Sequence, residues 1–166
     1  MTWGIPTDTF LQIHVVLSLV GIASGLIVLY GLLTGNRLGA WAAIFLVTTI
    51  LTGVTGFPLP PFGFDPARAV GVILLILLAL AVAALYAFRL AGAWRAIYIV
   101  TAIMALYLNV FVGVTQAFQK LDFLRPLAPT QSEPPFLVAQ GALLAIFVVI
   151  GFVALRAYNP ERAATA

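Results

Sequence analysis

Residues 92–120 read GAWRAIYIVTAIMALYLNVFVGVTQAFQK, and this run decides the class of fold. Arg95 is its only charge before the terminal Lys120. At ~1.5 Å per residue, a helix of this length crosses the ~30 Å hydrocarbon core of a bilayer with tilt to spare. Ala102, Ala105, Asn109, Gly113 and Gln116 fall at i, i+3, i+7, i+11 and i+14 and share one face. Small and amide-bearing residues on one stripe let helices approach closely and hydrogen-bond across a bundle. The opposite face is Ile, Val, Leu and Phe, suited to lipid. The stretch reads as a membrane span with an inner and an outer face.

The rest of the chain repeats that character. It is 63% hydrophobic and only 8% charged, against about 25% charged in soluble domains, which excludes a soluble bundle. Hydropathy and breakers predict a single all-α membrane domain of five transmembrane helices, at residues 9–33, 39–57, 66–88, 92–119 and 135–155. Thr7 or Asp8 is the expected N-cap of the first span, and Gly35-Asn36 its stop. With Asp8 the only charge before it, that segment reads as a retained span rather than a signal peptide. GFPLPP ends the second span, and Asp65-Pro66 reads as N-cap and first-turn proline of the third. The third span is nearly pure Leu, Ile, Val and Ala and is expected to be the most lipid-exposed, with Arg68 snorkelling to the headgroups. The segment before Pro135 mixes apolar and charged residues and reads as an interfacial loop.

Two stretches match. GAWAAIFLVTTI from Gly39 aligns with GAWRAIYIVTAI from Gly92, so spans two and three read as a parallel repeat of spans four and five. An odd number of spans puts the termini on opposite sides. Placing the N-terminus outside and the C-terminus in the cytoplasm leaves Arg37, Arg89, Arg95, Arg156 and Arg162 within, the arrangement the positive-inside rule favours.

On that orientation the polar side chains within spans collect in the outer half. They are His14, Ser18, Thr52, Thr55, Asn109, Gln116 and Gln140, the expected lining of one outward-facing polar pocket. The competing reading makes them interhelical bonds of about 0.6 kcal/mol each that lock the bundle. Threonines 48, 52 and 55 share a face and are expected to bond back to carbonyls of their own helix. His14, Ser18, Gly21 and Gly25 form the small face of span one. Gly21-x-x-x-Gly25 there fits either an internal partner helix or a homodimer or second membrane subunit.

No function class is named outright by these residues. There is no cysteine, so disulfides and thiolate chemistry are excluded, and the net charge of +3 is too scattered for nucleic acid. No catalytic constellation is present. His14 is the sole histidine and cannot supply two haem ligands within one chain, and no cluster with metal-ligand spacing accompanies it. IHVVLSLVGIASG, GAWRAIYIV, LYLNVFV and LAPTQSEPPFLVAQ resemble segments of an uncharacterised family of small bacterial multi-span inner-membrane proteins. The resemblance implies the fold and an inner-membrane location and carries over no site residues. The first functional expectation is a small membrane binding or accessory protein with a polar pocket. The alternatives are a redox protein binding quinone or haem through His14, and a small-molecule transporter, which the bare inner halves of the spans disfavour.

Overall fold

The computed structural model describes residues 1–36, 38–60 and 66–158; Arg37, Asp65 and Arg162, which entered the expectations above, lie outside them. Five helices form the protein: α1 (Thr7–Thr34), α2 (Gly39–Gly56), α3 (Pro66–Val82), α4 (Ala93–Lys120) and α5 (Pro134–Ala157). The last turn of α3 widens into a π turn over Ala83–Ala87. All five are long and apolar enough to cross a membrane, which is the architecture of a multi-pass helical membrane protein.

The ends follow local chemistry, with one correction. Gly35 closes α1 in the left-handed conformation (φ +73°), its N–H bonded to the Gly31 carbonyl, as a C-terminal glycine does. At the other end the cap residue is Pro6, and neither Thr7 nor Asp8 caps by side chain. Proline already lacks an N–H, and its fixed φ sets the chain on course for the first turn. Between α3 and α4 the chain reverses through Arg89, Leu90 and Gly92, all at positive φ. The reversal is held by Leu90, which is buried, and by Trp94 stacked on Phe88 with ring centroids 3.7 Å apart.

Glu133 starts α5. Its carboxylate accepts the Thr130 N–H and hydroxyl at 3.1 and 2.8 Å and the Ser132 N–H at 3.1 Å. Desolvation raises the carboxyl pKa, but the bonds from the Thr130 hydroxyl and from the backbone N–H groups outweigh it and hold it below the usual carboxylate value. A depressed folded-state pKa stabilises above the unfolded value and is lost as pH falls through the folded one. Glu133→Gln should therefore melt below the parent near neutral pH, with the difference closing as pH falls below the ordinary carboxylate range. A difference independent of pH would contradict this account.

Within the bundle, α1 lies along α2, α4 carries α3 on one side and α5 on the other, and α1 also crosses α4 and α5. The core centres on Phe45 and Leu46 of α2, Leu78 of α3, and Ile99 and Leu106 of α4. The matched stretches bury the same face. Phe45-Leu46 and Tyr98-Ile99 are inside, Val47 and Val100 outside, and Thr49 and Ala102 inside again. The most exposed helix is α5, not α3: 17% of its apolar window is buried against 28% for α3. Leu74, Leu78 and Ala81 turn inward where α3 packs closely on α2 and α4, whereas α5 packs chiefly on α4 and more lightly on α1. Arg68 likewise does not simply snorkel. Its guanidinium donates to the carbonyls of Phe57 and Leu59 at 3.2 and 2.9 Å, where α2 ends. At the opposite end of the bundle Arg95 donates to the Tyr158 carbonyl at the close of α5.

Candidate functional site

The polar side chains of α1 meet those of α2 and α4 in descending order from the end of the bundle where α1 begins. His14 comes first, its Nδ1 2.9 Å from Thr55 Oγ1 of α2. One turn deeper, Ser18 Oγ donates to Asn109 Oδ1 of α4 at 2.9 Å. A further turn down is Gly21, where polar side chains of both α2 and α4 come up to the α1 backbone. A Cβ placed on it would lie 2.9 Å from Thr49 Oγ1 and 3.0 Å from Asn109 Nδ2. Only glycine admits these two polar groups so near the α1 backbone. Thr49 is fully buried and Asn109 3% exposed, yet Thr49 Oγ1 and Asn109 Nδ2 find no hydrogen-bond partner among the described residues.

The behaviour of Thr49 is specific to it. The other three threonines of α2 donate back within the helix, Thr48 to Ile44, Thr52 to Thr48 and Thr55 to Leu51, at 2.7 to 2.9 Å. An unpartnered buried polar group costs about 1–3 kcal/mol, and here two adjoin. Below them the file closes. At Gly25 the side chains of Leu106 and Phe45 come within 2.6 and 2.9 Å of where a Cβ would stand, and beneath lies only an apolar void of about 10 Å³.

Against the expected single pocket, the structure separates the residues. His14, Ser18, Thr55 and Asn109 come together. Thr52 is spent on its own helix. Gln140 belongs to a second place, between α4 and α5, where its Nε2 donates to the Phe111 carbonyl and Thr115 Oγ1, both at 3.1 Å, and its Oε1 has no partner among the described residues. Gln116 donates along its own helix to Gln119 at 3.3 Å on an exposed face. Gly21 and Gly25 are both taken up by contacts inside this chain, which is the internal-partner reading of that motif.

No family model, curated protein or solved structure matches the chain.

The chemistry is thus read from the side chains alone. No group of three or more His, Cys, Asp or Glu side chains that would hold a metal occurs among the described residues. A haem iron would find one imidazole, His14. The larger cleft, about 50 Å³, lies at the opposite end among Tyr86, Tyr98, Tyr158, Asn36 and Leu38, with room for a few waters. Sequence reasoning missed Thr49. It sits beside Thr48 in the TTI run, and only the rotation of α2 against α1 distinguishes the threonine that turns to its own backbone from the one that faces Asn109.

Proposed function

We propose that this is a small-molecule-binding protein of the bacterial inner membrane, oriented with its N-terminus outside, whose ligand places a polar head in the file between α1, α2 and α4. The observation that carries the reading is the pair of fully buried, unpartnered groups, Asn109 Nδ2 and Thr49 Oγ1, beside a glycine and above an apolar floor. A bundle locked only by interhelical bonds gains nothing from leaving both unpaired. An amide N–H and a hydroxyl at one spot suit an acceptor such as a carbonyl or ether oxygen. The orientation is supported by Arg89, Arg95 and Arg156 at the far end of the bundle. With Arg37 and Arg162 counted from the sequence, five arginines fall on that side against Arg68, Lys120 and Arg125 on the other.

Solvent extraction and mass spectrometry of protein purified in native-lipid nanodiscs tests this. The parent should release one small molecule in stoichiometric amount, and Asn109→Leu should lose it with an unchanged circular dichroism spectrum. Release of bulk lipid alone from the parent defeats the reading, and so does an Asn109→Leu variant that retains the molecule.

A further inference from the structure

His14 and Thr55 together determine which nitrogen of the ring is available. The Thr55 hydroxyl has one proton. Its oxygen lies 2.7 Å from the Leu51 carbonyl, a separation at which two oxygens repel unless a proton stands between them. A second carbonyl of the α2 backbone, that of Thr52, lies 3.3 Å away. The hydroxyl proton is therefore committed to the α2 backbone. What remains toward α1 is a lone pair, and Nδ1 of His14 sits on it at 2.9 Å. Nδ1 must be the donor, so neutral His14 carries its proton on Nδ1 and Nε2 holds an open lone pair. Nε2 has no hydrogen-bond partner among the described residues, and the ring is only half-buried at the mouth of the file. The neighbouring wall is Gly56, where even a Cβ would stand 3.5 Å from His14 Cε1, so the nearby backbone leaves the ring edge uncrowded.

We infer that Thr55 fixes His14 as a hydrogen-bond acceptor and that Nε2 receives the hydroxyl proton of an apolar alcohol or phenol, of the hydroquinone type, arriving from the lipid. The inference rests on the binding reading above and names the ligand's chemistry at the mouth of the same file. A metal needs further ligands, and no second imidazole, thiolate or cluster of carboxylates accompanies His14 among the described residues. A hydroxyl needs only one base and an apolar surround. Leu11 and Leu17, at i−3 and i+3 from His14 on α1, supply the latter. His14 offers an acceptor at the mouth and the deeper Asn109 amide a donor, so the file has opposite polarity at its two ends.

Because the chain has one histidine, ring-15N-histidine labelling gives a single pair of nitrogen signals. At about pH 8, above the ordinary histidine pKa of ~6.5, Nδ1 should show the protonated, pyrrole-type signal and Nε2 the pyridine-type one. Thr55→Val, which keeps the shape and removes the acceptor, should erase this preference. Added hydroquinone bearing a short alkyl chain should move the Nε2 signal upfield, and its dimethyl ether should not. A pyridine-type Nδ1 in the parent overturns the proposal, as does an Nε2 signal indifferent to the hydroquinone or equally sensitive to the ether. Failure of this ligand class leaves the extraction result intact, and an extraction that yields no ligand leaves the tautomer measurable. The two readings therefore fail separately.

Discussion

Gly25→Leu is expected to prevent the bundle from closing, the largest effect of any single substitution on α1. A Cβ alone would stand 2.6 Å from Leu106 Cδ1 and 2.9 Å from two ring carbons of Phe45. Phe45 is 1% and Leu106 2% exposed, so a retreat by either displaces further core side chains. The milder Gly25→Ala should cost about 1–3 kcal/mol by overpacking. The energy at stake is packing and not transfer from water, because separated helices would remain in lipid as apolar as the interface. Leu106→Ala should recover part of the loss in the double variant, a coupling of the size expected for touching residues, about 0.5–3 kcal/mol. Gly141 and Gly151 of α5 are the controls. Nothing lies within 4 Å of a Cβ on either, so alanine there should be neutral or stabilising by up to about 1 kcal/mol. Thermal unfolding in a mild detergent measures all of these. Equal melting of Gly25→Ala and Gly141→Ala would contradict the packing described.

Arg68→Met is expected to cost about 1.5–3 kcal/mol, the range for hydrogen bonds made by a charged group. The reason lies at the end of α2. The helix closes on Phe57 in right-handed conformation with one long bond, its N–H 3.4 Å from the Val54 carbonyl. No left-handed glycine completes the turn, and the guanidinium reaching across from α3 satisfies the Phe57 and Leu59 carbonyls instead. It also places positive charge at the negative end of the α2 dipole. Arg68→Lys should retain part of the stability, since one guanidinium nitrogen makes both bonds and an ammonium keeps the charge but reaches less far. If Arg68→Met melts within about 0.5 kcal/mol of the parent, the residue is an ordinary surface cation. Protease access to residues 57–60 should rise in parallel with the loss.

The two effects differ in how visible they were beforehand. Gly25 announced itself, because a small residue at helical spacing from Gly21, Ser18 and His14 marks a close approach whatever the partner. Arg68 did not. Its place in the first turn of an apolar helix fits snorkelling as well as capping, and the choice depends on where the end of α2 stands relative to α3.

The sequence by itself determined five spans, their ends to within a few residues, and the inward faces of α1 and α4. These are local properties. An apolar run of about twenty residues states its own environment, and a period of 3.6 states its own face. Ala102, Ala105 and Asn109 are indeed buried. Only the tertiary structure decided which polar groups meet. Gln116 and Asn109 share a stripe, yet one pairs with Gln119 of its own helix and the other with Ser18 of α1. Gln140 was drawn to Thr115 by the packing of α5 on α4, and Thr49 toward Asn109 by the rotation of α2. Hydrogen bonds form within about 3 Å, whereas a helix face is specified by its pattern only to a sector some 100° wide. Shifts of a few ångströms between helices therefore choose the partners, and a single chain's periodicity does not contain them.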